Sequence, residues 1–352
     1  MIHLKVGAAR KAAIEWVDQY ASQDKGFRGA YFSGSTVGQP EDEELSASSD
    51  IDVVIVTEAD APPIKLGKFD YKGALVEVTY LSWKQLESPE EVLTSYHLAG
   101  SFRMDSIISD PTGHLRKLQI QVSQHFAEWA WVHRRCGNAR ERIEIGLKTI
   151  DTSAPLFDRI TSWLFPTGVT THVLLVAALR NPTVRLRYLA AREVLISYGH
   201  MDIYQELLEL LGCHLMTPRR VDYHVRQLAR TFDVAAKVAK TPFFFSTDIT
   251  TSARPIAIDG SLKLIQTGFH HEAVFWIVAT FARCHKILAA DGSPELQHEL
   301  LPAFEEIIAD LGITSTDILL DRAEKVIHYL PRLWDIAEQI MSVNPHIVNK
   351  KF

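Results

Sequence analysis

The sequence is poor in cysteine and has no long uninterrupted apolar run, and each shortage excludes a class of protein. Its 352 residues include three cysteines, Cys136, Cys213 and Cys284, which are too few and too scattered for a disulfide framework. No apolar run reaches the roughly 18 residues of a membrane span. The first residues also lack the apolar segment of a signal peptide. We therefore expect a cytoplasmic protein without a membrane partner.

Positive charge is also scarce, since 37 Lys and Arg stand against 43 Asp and Glu and give a formal net charge of −6. Proteins that bind nucleic acid usually carry a basic stripe, with aromatic side chains among the charges when they bind single strands. The composition therefore argues against a nucleic-acid partner. Gly-x-Gly-x-x-Gly and Gly-Lys-Ser/Thr elements are absent as well, which excludes the common dinucleotide-binding and P-loop folds.

The patterns that are present divide the chain into two parts and predict an α+β fold. Strand signals occur in residues 1–111, and helical periodicity dominates residues 112–352. In the first part we predict a helix over 4–22 and strands over 29–33, 51–57, 65–69, 74–81 and 106–109. In the second part we predict helices over 112–126, 127–149, 168–180, 183–198, 201–211, 218–240, 262–290, 294–311 and 315–342.

The most informative motif is Asp50-Ile51-Asp52 at the start of a run rich in valine and isoleucine. Side chains alternate between the two faces of a strand, so Asp50 and Asp52 point the same way. Two such carboxylates repel each other and lose hydration, and a divalent cation relieves both penalties. Mg²⁺ prefers carboxylate and phosphate oxygens. The pair therefore predicts a magnesium site that holds a nucleoside triphosphate.

A Gly-Ser pair lies upstream of these acids and predicts the place of the phosphates. Gly34 has no Cβ, so its backbone can approach phosphate oxygens closely, and Ser35 adds a hydroxyl donor. We expect a helix to begin after this pair, since amides at a helix start favour anions. Ser49, beside Asp50, is assigned to the same nucleotide site. The acidic run 41–44 between the two motifs is typical of a solvated loop.

Gly34-Ser35, Asp50-Ile51-Asp52 and a later strand acid, Glu77 in Val76-Glu77-Val78-Thr79, occur in an order that resembles the nucleotidyltransferase superfamily of DNA polymerase beta. The chain looks most similar to aminoglycoside nucleotidyltransferase-like bacterial proteins. The resemblance covers about residues 33–80, and the segment between Ser35 and Asp50 is longer than the family pattern.

The resemblance implies a catalytic domain over 1–111, with a mixed sheet and flanking helices, and a helical substrate-binding domain over 112–352. It implies that two Mg²⁺ ions bind Asp50, Asp52 and Glu77, and that AMP passes from ATP to a hydroxyl of a small, aminoglycoside-like cationic acceptor with release of pyrophosphate. The resemblance assigns the same three acids as the catalytic residues. Relatives include monomers and dimers, so a homodimer stays open.

Several alternatives remain open at this point. Glu77 could complete a metal site or act as the general base toward the acceptor hydroxyl, and the resemblance favours the base. Glu272, in His270-His271-Glu272, is a further candidate for binding a cationic acceptor in a cleft between the domains. An Asp-x-Asp pair can also simply cap a turn or pair with arginine. A different class of function is a nucleotide-binding regulatory or antitoxin-type protein with the same fold.

Overall fold

The computed structural model describes residues 4–46 and 48–349, and the chain divides into two compact units. The first unit contains the described residues up to Arg135, the segment Phe243–Ala253 and the described residues from His346 onward. The second contains Cys136–Pro242 and Arg254–Pro345. The first unit therefore extends beyond the predicted boundary at residue 111 and takes in a segment from far along the chain.

The first unit is built on a five-stranded mixed sheet, which confirms the predicted α+β class. The strand order is β3-β4-β2-β1-β5. Strands β2 and β4 run parallel, and the other neighbouring pairs are antiparallel. The strands span β1 Phe27–Ser33, β2 Ile51–Thr57, β3 Gly67–Tyr71, β4 Ala74–Ser82 and β5 Ile107–Ser109.

Each face of this sheet packs against helices. Helix α1 (Val6–Gln19) covers one face, where alternate strand residues such as Val53 and Val76 are buried. The opposite face packs against the short helix α2 (Pro89–Thr94) and against α3 (His114–His125). The α3 side chains Leu115, Leu118 and Val122 belong to this second cluster, which is the physical reason why the unit continues past residue 111.

The rest of the described chain is helical. Helix α4 runs from Trp129 to Lys148, and Pro166 of the following helix packs against its Gly146. Helix α10 is the most buried helix of the second unit and packs against α8 and α5. The helices after α4 are α5 Leu156–Ala177, α6 Arg187–Ser197, α7 Met201–Leu211, α8 Pro218–Val238, α9 Gly260–Gln266, α10 His270–Asp291, α11 Pro294–Asp310 and α12 Thr316–Val343.

Two of the predicted helices were wrong in their extent. The helix predicted over 168–180 begins at Leu156. Its start was predicted too late because proline normally interrupts a helix, whereas Pro166 lies inside this one. The single helix predicted over 262–290 is two helices, α9 and α10. They are separated at Gly268, whose φ of +86° ends α9 in the left-handed region. The apolar pattern continues across this break, so periodicity alone did not reveal it.

Two helices are long and apolar enough to meet the criterion for a membrane span, namely α5 and α10. In both, 78% of the most apolar window is buried inside the folded chain. Core helices of globular domains pass the same test, so these two helices are weak support for a membrane segment.

Candidate functional site

The candidate site is a row of polar side chains that crosses the sheet on the face opposite α1. The strand register places Asp52 of β2 beside Glu77 of β4, and Glu77 beside Lys68 of β3. On the other side Asp52 lies opposite Ser33 of β1. Neighbouring residues in register share a face of the sheet, so all four side chains project together.

The three predicted acids converge in this row. One carboxylate oxygen each from Asp50, Asp52 and Glu77 lies within 4.8 Å of the other two. All three residues are partly buried. Asp50 immediately precedes β2, and the alternation of strand side chains brings it to the same face as Asp52. The three carboxylates could therefore bind a metal ion together.

Gly34 supports this geometry through direct contact with Asp52. It has a φ of +71°, and a Cβ at this position would lie 1.8 Å from Oδ2 of Asp52. The Asp52 carboxylate therefore packs directly over the Gly34 backbone. The helix expected after Ser35 is only a three-residue 3-10 turn, Gly34–Thr36, so that part of the prediction was wrong. Ser35 itself is exposed.

The loop between the two motifs is held by α1. The guanidinium of Arg10 donates to the carbonyl oxygens of Thr36 and Gln39. Residues 41–44 have exposed side chains, as predicted, while the carbonyls of Glu41 and Glu43 accept from the first amides of α1. These contacts satisfy donors that a helix start otherwise leaves unpaired. Ser49, assigned to the nucleotide site, is partly buried next to Asp50.

Sequence reasoning missed two lysines that lie among the acids. The ammonium of Lys68 is 3.0 Å from Oδ2 of Asp50 and 2.9 Å from Oδ1 of Asp248, and it also pairs with Glu77. Lys65 pairs with Glu77 and lies 3.6 Å from Oδ2 of Asp248. The Lys68 side chain is only 9% exposed. The register of the β3–β4 hairpin was the signal that could have identified Lys68.

Asp248 is a fourth carboxylate at the site, and no local pattern predicted it. It comes from the segment Phe243–Ala253, which lies against β3. A Cβ on Gly67 would lie 1.7 Å from the Thr247 hydroxyl oxygen, so this glycine permits the close approach. Ser252 donates a hydrogen bond of 2.7 Å to Asp70 of β3. These contacts fix Asp248, which is 8% exposed.

The charges of this cluster do not balance. Four carboxylates and two ammonium groups leave a formal charge of −2 when all six groups are ionised, which is the charge that one divalent cation neutralises. Unpaired charge is costly at partly buried positions. The donor set therefore fits a hard cation such as Mg²⁺, because every acidic ligand offers oxygen.

The acids differ in how readily they ionise. Burial, together with the charges of Asp50 and Glu77, raises the pKa of Asp52 well above its ordinary value. Burial also raises the pKa of Asp50, although Lys68 opposes the shift. Glu77 behaves in the opposite way: burial favours its neutral form, but Lys68 and Lys65 outweigh burial and lower its pKa to about 2. Asp52 is thus the acid that most lacks a compensating positive charge.

Glu272 lies in the second unit, in the first turn of α10, and is 4% exposed. One of its carboxylate oxygens is 3.7 Å from Nε of Arg192. Burial, with a contribution from Glu272, raises the pKa of the neighbouring Tyr204 hydroxyl. Glu272 is thus surrounded by polar groups of its own helical unit, and its assignment to an acceptor stays a prediction.

Comparison with known proteins gives no family. No family model matches the chain, and a search of curated proteins finds no significant match. The resemblance to nucleotidyltransferases therefore stays a prediction from the residues themselves.

Proposed function

We propose that this protein is a Mg²⁺-dependent nucleotidyltransferase that moves a nucleoside monophosphate, AMP from ATP, onto a hydroxyl of a small molecule and releases pyrophosphate. The observation that carries the proposal is the convergence of Asp50, Asp52 and Glu77 on one face of a mixed sheet, with Gly34 against Asp52. These residue types in this order are those of the nucleotidyltransferase motif.

In the proposed reaction the acceptor hydroxyl oxygen forms a bond with the α-phosphorus of ATP, and the hydroxyl proton passes to solvent water. The bond from that phosphorus to the oxygen bridging to the β-phosphate breaks, and pyrophosphate leaves. Such transfers depend on positioning and on neutralising charge more than on covalent help. Bound Mg²⁺ would supply that neutralisation. Asp50 and Asp52 would hold the cation, and the Gly34–Thr36 turn lies beside Asp52, where the phosphates would approach.

The environment of Glu77 favours a role as metal ligand over that of general base. An effective base has a pKa near the working pH, whereas Lys68 and Lys65, as long as both pair with Glu77, hold its pKa near 2 despite its burial. A metal ligand, in contrast, must be deprotonated. We therefore propose that Glu77 is a metal ligand. The family resemblance favoured the role of general base instead.

The nature of the acceptor rests on the resemblance and on overall charge. An aminoglycoside-like acceptor carries several ammonium groups and hydroxyls, and the protein has a net charge of −6. A negative surface attracts such cations over distances near the Debye length. We place the acceptor with the helical part of the chain and ATP with the sheet.

One observation favours a second candidate, a nucleotide-binding regulatory or antitoxin-type protein. Lys68 already pairs with Asp50 and Glu77, so two of the three acids have positive partners in the absence of metal. A fold that kept the acids only for structure would use the same pairing. The two functions differ in turnover, which only the enzyme performs.

The test measures pyrophosphate release from each nucleoside triphosphate with Mg²⁺ and a panel of hydroxyl-bearing cations. The Asp52→Asn variant should lose turnover and Mg²⁺-dependent ATP binding while its thermal unfolding stays cooperative. Asp60→Asn is the matched control, because Asp60 is 69% exposed and lies three residues beyond the end of β2. Undiminished turnover in Asp52→Asn would refute the assignment. ATP binding without turnover for any acceptor would favour the regulatory alternative.

A further inference from the structure

Lys68 holds a position that conflicts with metal binding. Its ammonium contacts three carboxylates, and two of them, those of Asp50 and Glu77, belong to the proposed metal site. The third carboxylate, that of Asp248, lies outside the acid triad. Lys68 is therefore shared between the metal ligands and a separate anchor.

A divalent ion and this ammonium group compete for the same carboxylates. Mg²⁺ binds oxygen at roughly 2.1 Å and requires near-octahedral geometry. The Lys68 nitrogen is 3.0 Å from Oδ2 of Asp50, so a metal ion bound to that oxygen would lie within a few ångströms of a positive charge. Repulsion at such short range in a partly buried site is strong. Metal entry is therefore opposed as long as Lys68 stays with Asp50 and Glu77.

Asp248 is placed to receive Lys68 when this happens. It is 2.9 Å from the ammonium and is held by a segment that is itself fixed on β3. The close approach of Thr247 to Gly67 and the bond from Ser252 to Asp70 keep this carboxylate in place independently of the triad. Lys68 can therefore give up two carboxylates and keep the third.

We propose that Lys68 is a tethered counter-ion that partly neutralises the acid cluster without metal, and that Asp248 is the positioning residue that draws the lysine aside when the divalent ion binds. The inference rests on the metal site of the proposed function. It goes further by assigning roles to a lysine and to an acid that the nucleotidyltransferase motif does not include. It also makes metal affinity depend on a segment that is distant in sequence from the motif.

The proposal predicts opposite effects for the two residues. In Lys68→Met one of the two ammonium groups at the acids is lost, while Lys65 still pairs with Glu77, so Mn²⁺ without nucleotide should bind about tenfold tighter or more. In Asp248→Asn the lysine loses its alternative partner and stays with Asp50 and Glu77, so Mn²⁺ should bind at least about threefold more weakly. Lys72→Met is the control for lost charge, since Lys72 is in the same hairpin but is 58% exposed and pairs with Glu15.

The decisive measurement is a double-mutant cycle read by calorimetric titration of the full-length protein with Mn²⁺. If Asp248 acts through Lys68, Asp248→Asn should have little effect on Mn²⁺ affinity in the Lys68→Met background. If Asp248→Asn weakens binding by the same factor in both backgrounds, Asp248 acts as a ligand or as a simple charge, and the inference is overturned.

A second readout keeps the test independent of folding defects. Metal-free Lys68→Met should have a lower melting temperature than the wild type, because its acids lose their counter-ion, and saturating Mn²⁺ should remove most of this difference. A difference in melting temperature that Mn²⁺ does not reduce would contradict the counter-ion role. If neither the wild type nor Lys68→Met binds Mn²⁺, the metal site of the proposed function fails, and the inference fails with it.

Discussion

Replacing Gly34 with alanine tests the geometry of the site at one atom. The new Cβ would lie 1.8 Å from Oδ2 of Asp52, whereas ordinary contact begins near 3.4 Å, so the carboxylate has to move by about 1.6 Å. The φ of +71° adds roughly 1–2 kcal/mol of backbone strain for any residue with a Cβ. The substitution therefore displaces a proposed metal ligand and also costs a modest amount of stability.

The two effects can be separated by a matched control. Gly73, in the turn between β3 and β4, has a φ of +81°, and a Cβ there would meet nothing within 4 Å. Gly73→Ala thus carries the backbone strain alone. Both variants should lose roughly 1–2 kcal/mol of unfolding free energy in urea titrations from this strain, and Gly34→Ala somewhat more because of its steric clash.

Metal affinity should distinguish them clearly. Displacing a ligand from a geometry-sensitive ion should weaken Mn²⁺ binding by about 10- to 100-fold, the range seen when groups that orient a metal ligand are removed. We expect this loss in Gly34→Ala and unchanged Mn²⁺ binding in Gly73→Ala, both measured by calorimetry. Wild-type affinity in Gly34→Ala, or an equal loss in Gly73→Ala, would refute the reasoning.

Three further predictions concern single groups. In EDTA at pH 7 the Asp52→Asn variant should have a higher urea unfolding midpoint than the wild type, because burial and the neighbouring acids raise the pKa of Asp52 and make its charged form costly. An equal or lower midpoint would contradict this reasoning. The lysines lower the pKa of Glu77 to about 2 in the folded protein, whereas the pKa of glutamate in an unfolded chain is roughly 4.3. This difference corresponds to about 3 kcal/mol of unfolding free energy, which is present above pH 4.5 and is lost as the pH falls toward 2. The stability difference between the wild type and Glu77→Gln should therefore narrow below pH 4.5, and a pH-independent difference would argue against the lysine pairing. Burial raises the pKa of the Cys213 and Cys284 thiols, so neither thiol should react with a thiol reagent before the protein unfolds. The absorbance of the reagent follows this reaction, and rapid labelling of the native protein would contradict the burial of the two thiols.

Much of the first unit follows from local rules that a sequence displays. Strand β2 was predicted over 51–57 and is observed over Ile51–Thr57, because a β-branched run bounded by polar residues has few alternatives. The positions of Asp50 and Asp52 on one face follow from the strand period of two. Their meeting with Glu77 required the parallel pairing of β2 with β4, which residue periodicity does not show.

Lys68 was missed because of the turn that sets the register of its hairpin. The predicted strands end at residue 69 and begin again at residue 74, whereas β3 continues to Tyr71, which pairs with Ala74 at the start of β4. Lys72 and Gly73 both have positive φ, 50° and 81°, as in the two-residue turns that suit twisted hairpins. With that turn recognised, Lys68 falls opposite Glu77 by counting.

Asp248 could not have been predicted from local patterns. It reaches the site because the segment Phe243–Ala253 folds back onto β3, and the only local trace of this contact is a glycine at position 67 that leaves room for Thr247. Contacts between segments distant in sequence are decided by packing, which no periodicity reports. The same holds for Glu272 in the helical unit. Its polar partners come from α6 and α7, and the sequence does not show them as neighbours.

The central claim is that Asp50, Asp52 and Glu77 bind one or more divalent ions together. The most direct measurement is anomalous diffraction at the manganese edge from crystals grown with Mn²⁺ and a non-hydrolysable ATP analogue. We predict an anomalous peak within bonding distance of Asp50 and Asp52, with Lys68 turned toward Asp248. Well-ordered crystals without a peak at these carboxylates, and with Lys68 still paired to Asp50 and Glu77, would contradict the claim.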